Sequence, residues 1–266
     1  MRRRKLSFVP VSIHVSHSAL PLPFPASSLL DPTRAALFLD FDGTLVAITD
    51  RPDLVRVSPH LRDLLTWLLE GAGGALAIVT GRDIADVDSY LAPLRLPIAG
   101  IHGMVRRRAD GHLDETPSDD AAIATIDARL QPFVSGADGL LLERKTASIA
   151  LHYRARPDLE QASRDAMEEA LGGVDSVTLL RGKMVLEAKA GTAHKGQAVQ
   201  AYMNEAPFAG RLPFFAGDDR TDEDAFDTVN ACGGISVKIG TGPTMAQYRI
   251  DRQTDFIDWL DSLRGA

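Results

Sequence analysis

The chain has 266 residues, of which 45% are hydrophobic and 24% charged, the composition of an ordinary globular protein with one large domain or two smaller ones. Its net charge of −7 argues against sequence-independent nucleic-acid binding, which needs a basic surface, and no apolar run reaches the roughly 18 residues of a membrane span. The single cysteine, Cys232, excludes an intramolecular disulfide and fits a reducing compartment, so we expect a cytoplasmic protein.

The first segment, residues 1–33, has an unusual composition. Basic residues 2–5 precede a weakly apolar stretch that four prolines interrupt. A secretory signal needs a cleaner apolar centre. We therefore expect residues 1–33 to be a disordered or non-native extension, with a secretory signal as the alternative.

The first predicted strand, Ala35–Leu39, is apolar on both faces, which is typical of a central parallel strand with helices on either side. Asp40 and Asp42 follow it, and Gly43 lets the backbone turn sharply. Two carboxylates at the end of a buried strand repel each other, and a hard cation that takes oxygen ligands, such as Mg²⁺, would offset this cost. A polar turn without function is the alternative, because Asp and Gly are common turn residues.

Helices and strands then alternate, as in a doubly wound parallel sheet. Ser58-Pro59 is a good helix start, and Gly71 can end this helix. A second buried strand at 75–79 ends at Thr80-Gly81, whose hydroxyl and N–H groups could hold an anion. We expect a helix over 83–91 and a short strand at 97–99.

From about residue 105 the pattern changes to an α+β block of about 80 residues, enough for a small second domain. We expect in it a hairpin turn at 109–112, a helix over 118–133, one long strand over 140–154, a helix over 157–171, and strands at 177–180 and 183–188. Buried strands return at 212–216 and 235–239, so the block is inserted into the first fold. The predicted division is a core of residues 34–105 and 189–266, with an α+β domain at 106–188.

A second acidic cluster follows the strand at 212–216. Asp218 and Asp222 lie four residues apart and could face one point if a helix begins near Thr221. An acidic first helical turn is the alternative reading of residues 221–224, and we expect both to hold. Lys195 opens another helix, where its charge is unfavourable for the helix dipole, so a functional lysine and a solvated one stay equally open.

These features together resemble a known family. Four motifs agree in order and spacing with the haloacid dehalogenase superfamily of phosphotransferases: residues 40–44, 80–82, 195–196 and 217–223. Within it the chain resembles the trehalose-6-phosphate phosphatase family, through residues 100–103, 143–145, Ser148 and 152–154. The resemblance covers about residues 35–260 and implies a Rossmann-like core with an inserted cap domain.

The resemblance also implies a reaction, the Mg²⁺-dependent hydrolysis of trehalose 6-phosphate to trehalose and phosphate, a step of trehalose biosynthesis. Asp40 would attack phosphorus and form an aspartyl phosphate, and Asp42 would act as acid and then as base. Thr80 and Lys195 would stabilise the transferring phosphoryl group.

Ligand sets follow from the same resemblance. Mg²⁺ would be held by Asp40, the Asp42 carbonyl and Asp218, with Asp222 or Asp219 as further ligands. The substrate-binding residues would be Gly81, Arg82, His102 and Gly103 on the core, and Glu143, Lys145, Arg154 and Glu187 on the cap.

Two alternatives remain at this point. The chain could act on another sugar phosphate, such as sucrose 6-phosphate or mannosylglycerate phosphate, or it could bind sugar phosphates without catalysis, although its complete set of catalytic residues argues against this. The polar residues of the 140–154 strand could also form only a solvent-exposed face. We expect a monomer whose partner is a small sugar phosphate, with neither nucleic acid nor membrane involved.

Overall fold

The computed structural model describes residues 22–23, 30–49, 54–145 and 147–265. Most of the predicted extension, residues 1–33, lies outside this part of the chain. Within it, Leu22–Pro23 pairs in parallel with Tyr248–Arg249, and Leu30 packs in the core. These described residues of the segment are therefore part of the fold.

Thirteen strands are present in the described part of the chain. They are β1 (Leu22–Pro23), β2 (Ala35–Leu39), β3 (Leu76–Val79), β4 (Ile98–Gly100), β5 (Val105–Arg107), β6 (Leu113–Glu115), β7 (Leu141–Lys145), β8 (Ser148–His152), β9 (Val177–Gly182), β10 (Val185–Ala190), β11 (Leu212–Gly217), β12 (Ile235–Ile239) and β13 (Tyr248–Ile250).

The same described residues also form seven α-helices. They are α1 (Pro59–Gly71), α2 (Ile84–Leu91), α3 (Asp120–Ser135), α4 (Glu160–Leu171), α5 (Lys195–Met203), α6 (Glu223–Ala231) and α7 (Gln253–Ser262). The side chain of Ser58 accepts a hydrogen bond from the Leu61 N–H at the start of α1, as its sequence predicts.

The larger sheet has nine strands in the order β1-β13-β12-β11-β2-β3-β4-β5-β6. All neighbours from β1 to β4 are parallel, and β5 and β6 add an antiparallel hairpin at the edge. β2 lies at the centre and is buried along its whole length. The parallel strands therefore end at one common edge, where open α/β sheets bind their ligands.

Alternate residues of each strand point to opposite faces of this sheet, and helices cover both faces. The ring of Phe38 packs against the ring of Tyr202 of α5 in a tilted arrangement, whereas Phe214, in register with Leu37, stacks on Trp259 of α7. The predicted fold class, a doubly wound parallel sheet with an inserted α+β domain, is confirmed.

The smaller sheet is antiparallel, with the order β7-β8-β10-β9. One face packs under α3 and α4 and forms a separate apolar core, in which Ile126, Ile149 and Met167 are fully buried. Neighbouring strands run antiparallel, and successive side chains along each strand alternate between this core and the opposite face.

Two sequence-based expectations differ from the structure. The expected long strand over 140–154 is wrong, because β7 and β8 form a hairpin that reverses direction around Ala147. The hairpin of β5 and β6 joins the larger sheet, although the predicted second block begins at residue 106. In the described part of the chain, none of the helices combines the length and apolarity that crossing a membrane requires.

Candidate active site

Three of the side chains predicted to be functional follow three neighbouring strands at the carboxyl edge of the larger sheet. Asp40 comes directly after β2, Thr80 after β3 and Asp218 after β11, and these strands are adjacent. All three residues are at most 4% exposed. Because parallel strands end side by side, the sheet brings together residues that are far apart in the sequence.

The carboxylates of Asp40, Asp218 and Asp222 form a cluster in which one oxygen from each lies within 4.8 Å of the others. Gly43 has a positive φ of 84°, and a Cβ there would lie 2.2 Å from Asp218 Oδ2. Only glycine therefore allows the Asp218 carboxylate to sit at this place. A set of buried carboxylate oxygens suits a hard divalent cation, so these residues fit a metal ion.

The acids are costly to keep charged without such an ion. Burial raises the pKa of Asp40 well above its ordinary value, with Lys195 opposing the rise and the charges of Asp222 and Asp218 adding to it. Burial also raises the pKa of Asp218 to about 6, with Asp222 adding to the rise and Lys183 opposing it. A bound dication would relieve both.

Lys195, at the first position of α5, is 2% exposed, and its Nζ donates to Asp40 Oδ1 and Asp222 Oδ1 at 2.7 Å each. Burial opposes its charge, but Asp222 and Asp40 outweigh burial and raise the pKa of Lys195 above its ordinary value. The structure thus explains the unusual position of this lysine and excludes a solvated surface role.

Asp222 is fully buried, and both of its carboxylate oxygens accept hydrogen bonds inside the protein. Oδ1 accepts from Lys195 Nζ, and Oδ2 accepts from the N–H of Asp219 at 2.8 Å. Asp219 lines the same cavity but lies outside the three-carboxylate cluster. Among the two further metal ligands predicted from sequence, Asp222 is therefore the one that the fold brings to the cluster.

Asp42 is held by Arg82. The guanidinium donates from Nε to Oδ2 at 2.6 Å and from Nη2 to Oδ1 at 2.7 Å, and it lies over the ring of Tyr90 at 5.2 Å. Arg82, which was expected to bind substrate, lines the cavity and forms an ion pair with the carboxylate expected to be the acid and base. A fork-to-fork pair of this kind fixes the orientation of the carboxylate.

The face of the smaller sheet that does not pack on α3 and α4 is turned to the domain that contains the larger sheet. Core and cap residues together line one cavity: Asp40, Asp42, Ile48, Thr49, Thr80, Gly81, Arg82, His102, Lys195, Asp218, Asp219 and Thr221 from the core, and Glu143, Lys145, His152, Arg154, Lys183, Val185 and Glu187 from the cap. Gly103 is not among the described residues that line this cavity. Its φ of 100° allows a turn that packs against α5.

Glu187 is the centre of a hydrogen-bond network between the two sheets. It accepts from Ser148 Oγ at 2.5 Å and from Lys145 Nζ at 3.2 Å, and it pairs with His102 Nε2 at 3.3 Å. Burial acts to raise its pKa, but Lys145 and His102 outweigh burial and lower the pKa of Glu187 far below its ordinary value. Glu187 is therefore charged.

The same network holds the cap against the core. Lys145 Nζ also donates to the carbonyl of Gly81 at 3.1 Å, and Arg154 donates to the carbonyl of Thr49.

Gly81 has no room for a side chain, because a Cβ would lie 2.6 Å from His102 Nε2. Burial lowers the pKa of His102, although Glu187 opposes this, so the ring is a neutral partner at neutral pH.

Sequence reasoning missed three polar residues at this site. Lys183, in the turn between β9 and β10, donates to Asp218 Oδ2 at 2.5 Å, and Lys238 of β12 donates to the Asp218 carbonyl at 2.7 Å. His152 lines the cavity beside Glu143. Lys238 could have been identified from the sequence, since it is the one charged residue in a predicted buried strand. Lys183 could not, because a lysine in a hairpin turn is usually a solvent-exposed residue.

Comparison with known proteins agrees with this geometry. A family model described as trehalose-phosphatase matches residues 38–254. The chain is 39% identical over 233 residues to the trehalose-6-phosphate phosphatase of Escherichia coli (strain K12), covering 88% of each chain. It is 41% identical over 230 residues to the probable trehalose-phosphate phosphatase of Sinorhizobium fredii (strain NBRC 101917 / NGR234), covering 86% of each.

A solved structure is similar over nearly the whole fold. The C-terminal domain of C. albicans trehalose-6-phosphate phosphatase matches with a TM-score of 0.84, covering 93% of this chain and 99% of that one. Its sequence identity is 22%, so the likeness concerns the fold.

Proposed function

The chain belongs to the trehalose-phosphatase family, and we propose that it hydrolyses trehalose 6-phosphate to trehalose and phosphate with Mg²⁺ as its cofactor. It is a phosphatase, a hydrolase of phosphoric monoesters. The observation that supports the proposal best is Lys195, whose ammonium lies 2.7 Å from the carboxylate of Asp40 at the edge of the sheet. A nucleophile, a cation and a divalent-metal site then meet at one point.

Catalysis by the residues of this chain would proceed in two displacements. The Asp40 carboxylate attacks phosphorus and forms an aspartyl phosphate, while the bond to the sugar oxygen breaks. Asp42 gives its proton to this oxygen and later accepts one from the water that attacks the intermediate. Arg82 keeps the Asp42 carboxylate in place through its two hydrogen bonds.

Charge on the transferring group would be met by fixed groups of the core. Lys195 and the Thr80 hydroxyl stand at the same sheet edge as Asp40 and stabilise the phosphoryl oxygens. When bound by Asp40, Asp218 and the Asp42 carbonyl, Mg²⁺ supplies further positive charge to these oxygens. Asp222 would act mainly by holding Lys195, since both its oxygens are already hydrogen-bonded.

Selection of the leaving group would fall to the cap. Sugar hydroxyls are recognised by hydrogen bonds from charged or amide groups, and the cavity face of the smaller sheet carries Glu143, Lys145 and Glu187, with Arg154 beyond its end. We propose a cap of about residues 116–190, since the hairpin ending at Glu115 belongs to the larger sheet. A monomer in the cytoplasm remains our expectation.

The test is phosphate release from trehalose 6-phosphate, glucose 6-phosphate and sucrose 6-phosphate, each with Mg²⁺ and with EDTA. Fast, metal-dependent release from trehalose 6-phosphate alone is expected. Similar release from all three would keep the phosphatase and contradict the specificity, and release in EDTA would contradict the metal. The Asp40→Asn variant is the matched control, because it keeps the shape of the side chain and removes the nucleophilic carboxylate.

A further inference from the structure

A histidine without an assigned role lines the cavity on the cap side. His152 is the last residue of β8, and its side chain is 19% exposed. The hairpin register places it opposite Leu141, so Glu143 is its diagonal neighbour on the same face of the sheet. Diagonal neighbours in antiparallel strands are within reach of long side chains.

The contact between these two residues is a short hydrogen bond. His152 Nε2 lies 2.8 Å from Glu143 Oε2. Burial acts to raise the pKa of Glu143, but the hydrogen bond from His152 and the charge of Lys145 outweigh it and lower the pKa, so the carboxylate is ionised. An ionised carboxylate only accepts hydrogen bonds, so Nε2 is the nitrogen that carries the proton.

Glu143 differs from its neighbours on this face in how it is held. Glu187 has three hydrogen-bond partners, and Lys145 is fixed between Glu187 and the Gly81 carbonyl. Among the described residues, His152 is the hydrogen-bond partner of Glu143, and Oε1 accepts no hydrogen bond. A glutamate side chain has several rotamers, and losing that freedom is costly on binding unless the side chain is already held.

We propose that His152 is a positioning residue that holds the Glu143 carboxylate ready for a sugar hydroxyl of the substrate, which rests on the proposed function. One oxygen of Glu143 takes the imidazole N–H and the other remains available to the ligand. The imidazole is rigid and anchored on the neighbouring strand, so the carboxylate keeps one orientation relative to the cap sheet. His152 therefore affects binding of the sugar through Glu143 and does not affect the phosphoryl group.

Replacing His152 should therefore affect substrate binding alone. We expect His152→Leu to raise the KM for trehalose 6-phosphate about tenfold, the usual effect of losing a hydrogen bond to a charged group, with kcat changed less than about threefold. Hydrolysis of p-nitrophenyl phosphate, which has no sugar, should stay within about twofold of wild type. His112→Leu, on the exposed β5–β6 turn, is the matched control and should change neither substrate.

Rescue distinguishes positioning from packing. A glutamine amide places its N–H groups about where Nε2 lies, whereas an asparagine amide falls short, so His152→Gln should recover a KM within about threefold of wild type and His152→Asn should not. This pair of variants also decides the question if His152→Leu does not fold. A similar KM for the Gln and Asn variants overturns the proposal.

A double-mutant cycle tests whether His152 acts through Glu143. Glu143→Ala with His152→Leu should raise KM no further than Glu143→Ala alone, because the positioned group is already gone. Multiplying effects would overturn the proposal, as would equal losses on both substrates. Wild-type protein that does not prefer trehalose 6-phosphate to p-nitrophenyl phosphate would instead refute the proposed function, before any variant is compared.

Discussion

Lys195→Met tests the electrostatic design of the site, because it removes the positive charge and leaves a side chain of similar length. The wild-type ammonium is buried and bonded to Asp40 and Asp222 at 2.7 Å each. In the variant, both carboxylates lose this partner while remaining buried. We expect turnover to be lost and the metal-free protein to be strongly destabilised.

The size of the loss follows from the burial. Removing one partner of a buried ion pair costs about 3–5 kcal/mol, because the remaining charge is left uncompensated. For a chain of this size, such a loss lowers the melting temperature by about 10 °C. Added Mg²⁺ should restore part of the stability, since a dication at the acid cluster replaces some of the missing charge.

The loss should also depend on pH in a defined direction. Both Asp40 and Asp218 already have raised pKa values in the wild type, the latter at about 6, and removing Lys195 raises that of Asp40 further. A buried carboxyl group that is protonated carries no charge, so its burial then costs little. As the pH rises from the ordinary pKa near 4 through the raised pKa of the folded state, the group becomes charged and the free-energy cost of burying it grows. The destabilisation should therefore be larger at about pH 8 than at about pH 5.

The assay is urea unfolding of metal-free wild type and variant at both pH values. Lys195→Met combined with Asp222→Asn should be more stable than Lys195→Met alone, because one uncompensated charge is removed. Arg252→Met, at an exposed ion pair on the surface, should have no measurable effect. A loss below about 1 kcal/mol, or the same loss at both pH values, would refute the reasoning.

Four further predictions concern the metal, the cap and the nucleophile. Calorimetry should show Mg²⁺ binding to the metal-free protein strengthening as pH rises through about 6, because Asp218 must lose its proton, and an affinity independent of pH would contradict this. Lys238→Met should weaken Mg²⁺ binding about tenfold, because it releases the Asp218 carbonyl from a charged hydrogen bond, and an unchanged Kd would contradict it. Lys145→Ala should raise the KM for trehalose 6-phosphate about tenfold with little effect on p-nitrophenyl phosphate, whereas equal losses would show that Lys145 does not recognise the sugar. Asp40→Asn should abolish turnover with an unchanged near-ultraviolet circular dichroism spectrum, and substantial residual activity would count against covalent catalysis.

The core of the site could be predicted from sequence because its signals are local. Asp40, Thr80 and Asp218 each follow a buried apolar run directly, and the carboxyl ends of parallel strands meet at one edge. Lys195 could be singled out because a lysine at the start of a helix is electrostatically unfavourable. Neither argument requires knowledge of how the chain packs beyond the nearest strand or helix.

The cap side could not be predicted to the same extent, because register and turns decide which side chains face the cavity. β7 ends at Lys145 and β8 begins at Ser148, in a stretch that has neither glycine nor proline to mark a turn. His152 and Glu143 become neighbours only through this hairpin. Lys183 reaches Asp218 from a different sheet, a contact for which the sequence carries no periodic signal.

Four lysines contact the site, two from the core and two from the cap, and we expect the two pairs to contribute differently. Lys195 and Lys238 are core residues, at most 4% exposed, and each is bonded to groups of the core, so their charges are part of what makes the acid cluster foldable. Lys183 and Lys145 belong to the cap and reach the Asp218 carboxylate and the Gly81 carbonyl only while the cap rests on the core. Loss of a core lysine should therefore be visible in unfolding experiments without substrate, whereas loss of a cap lysine should be visible mainly in the KM.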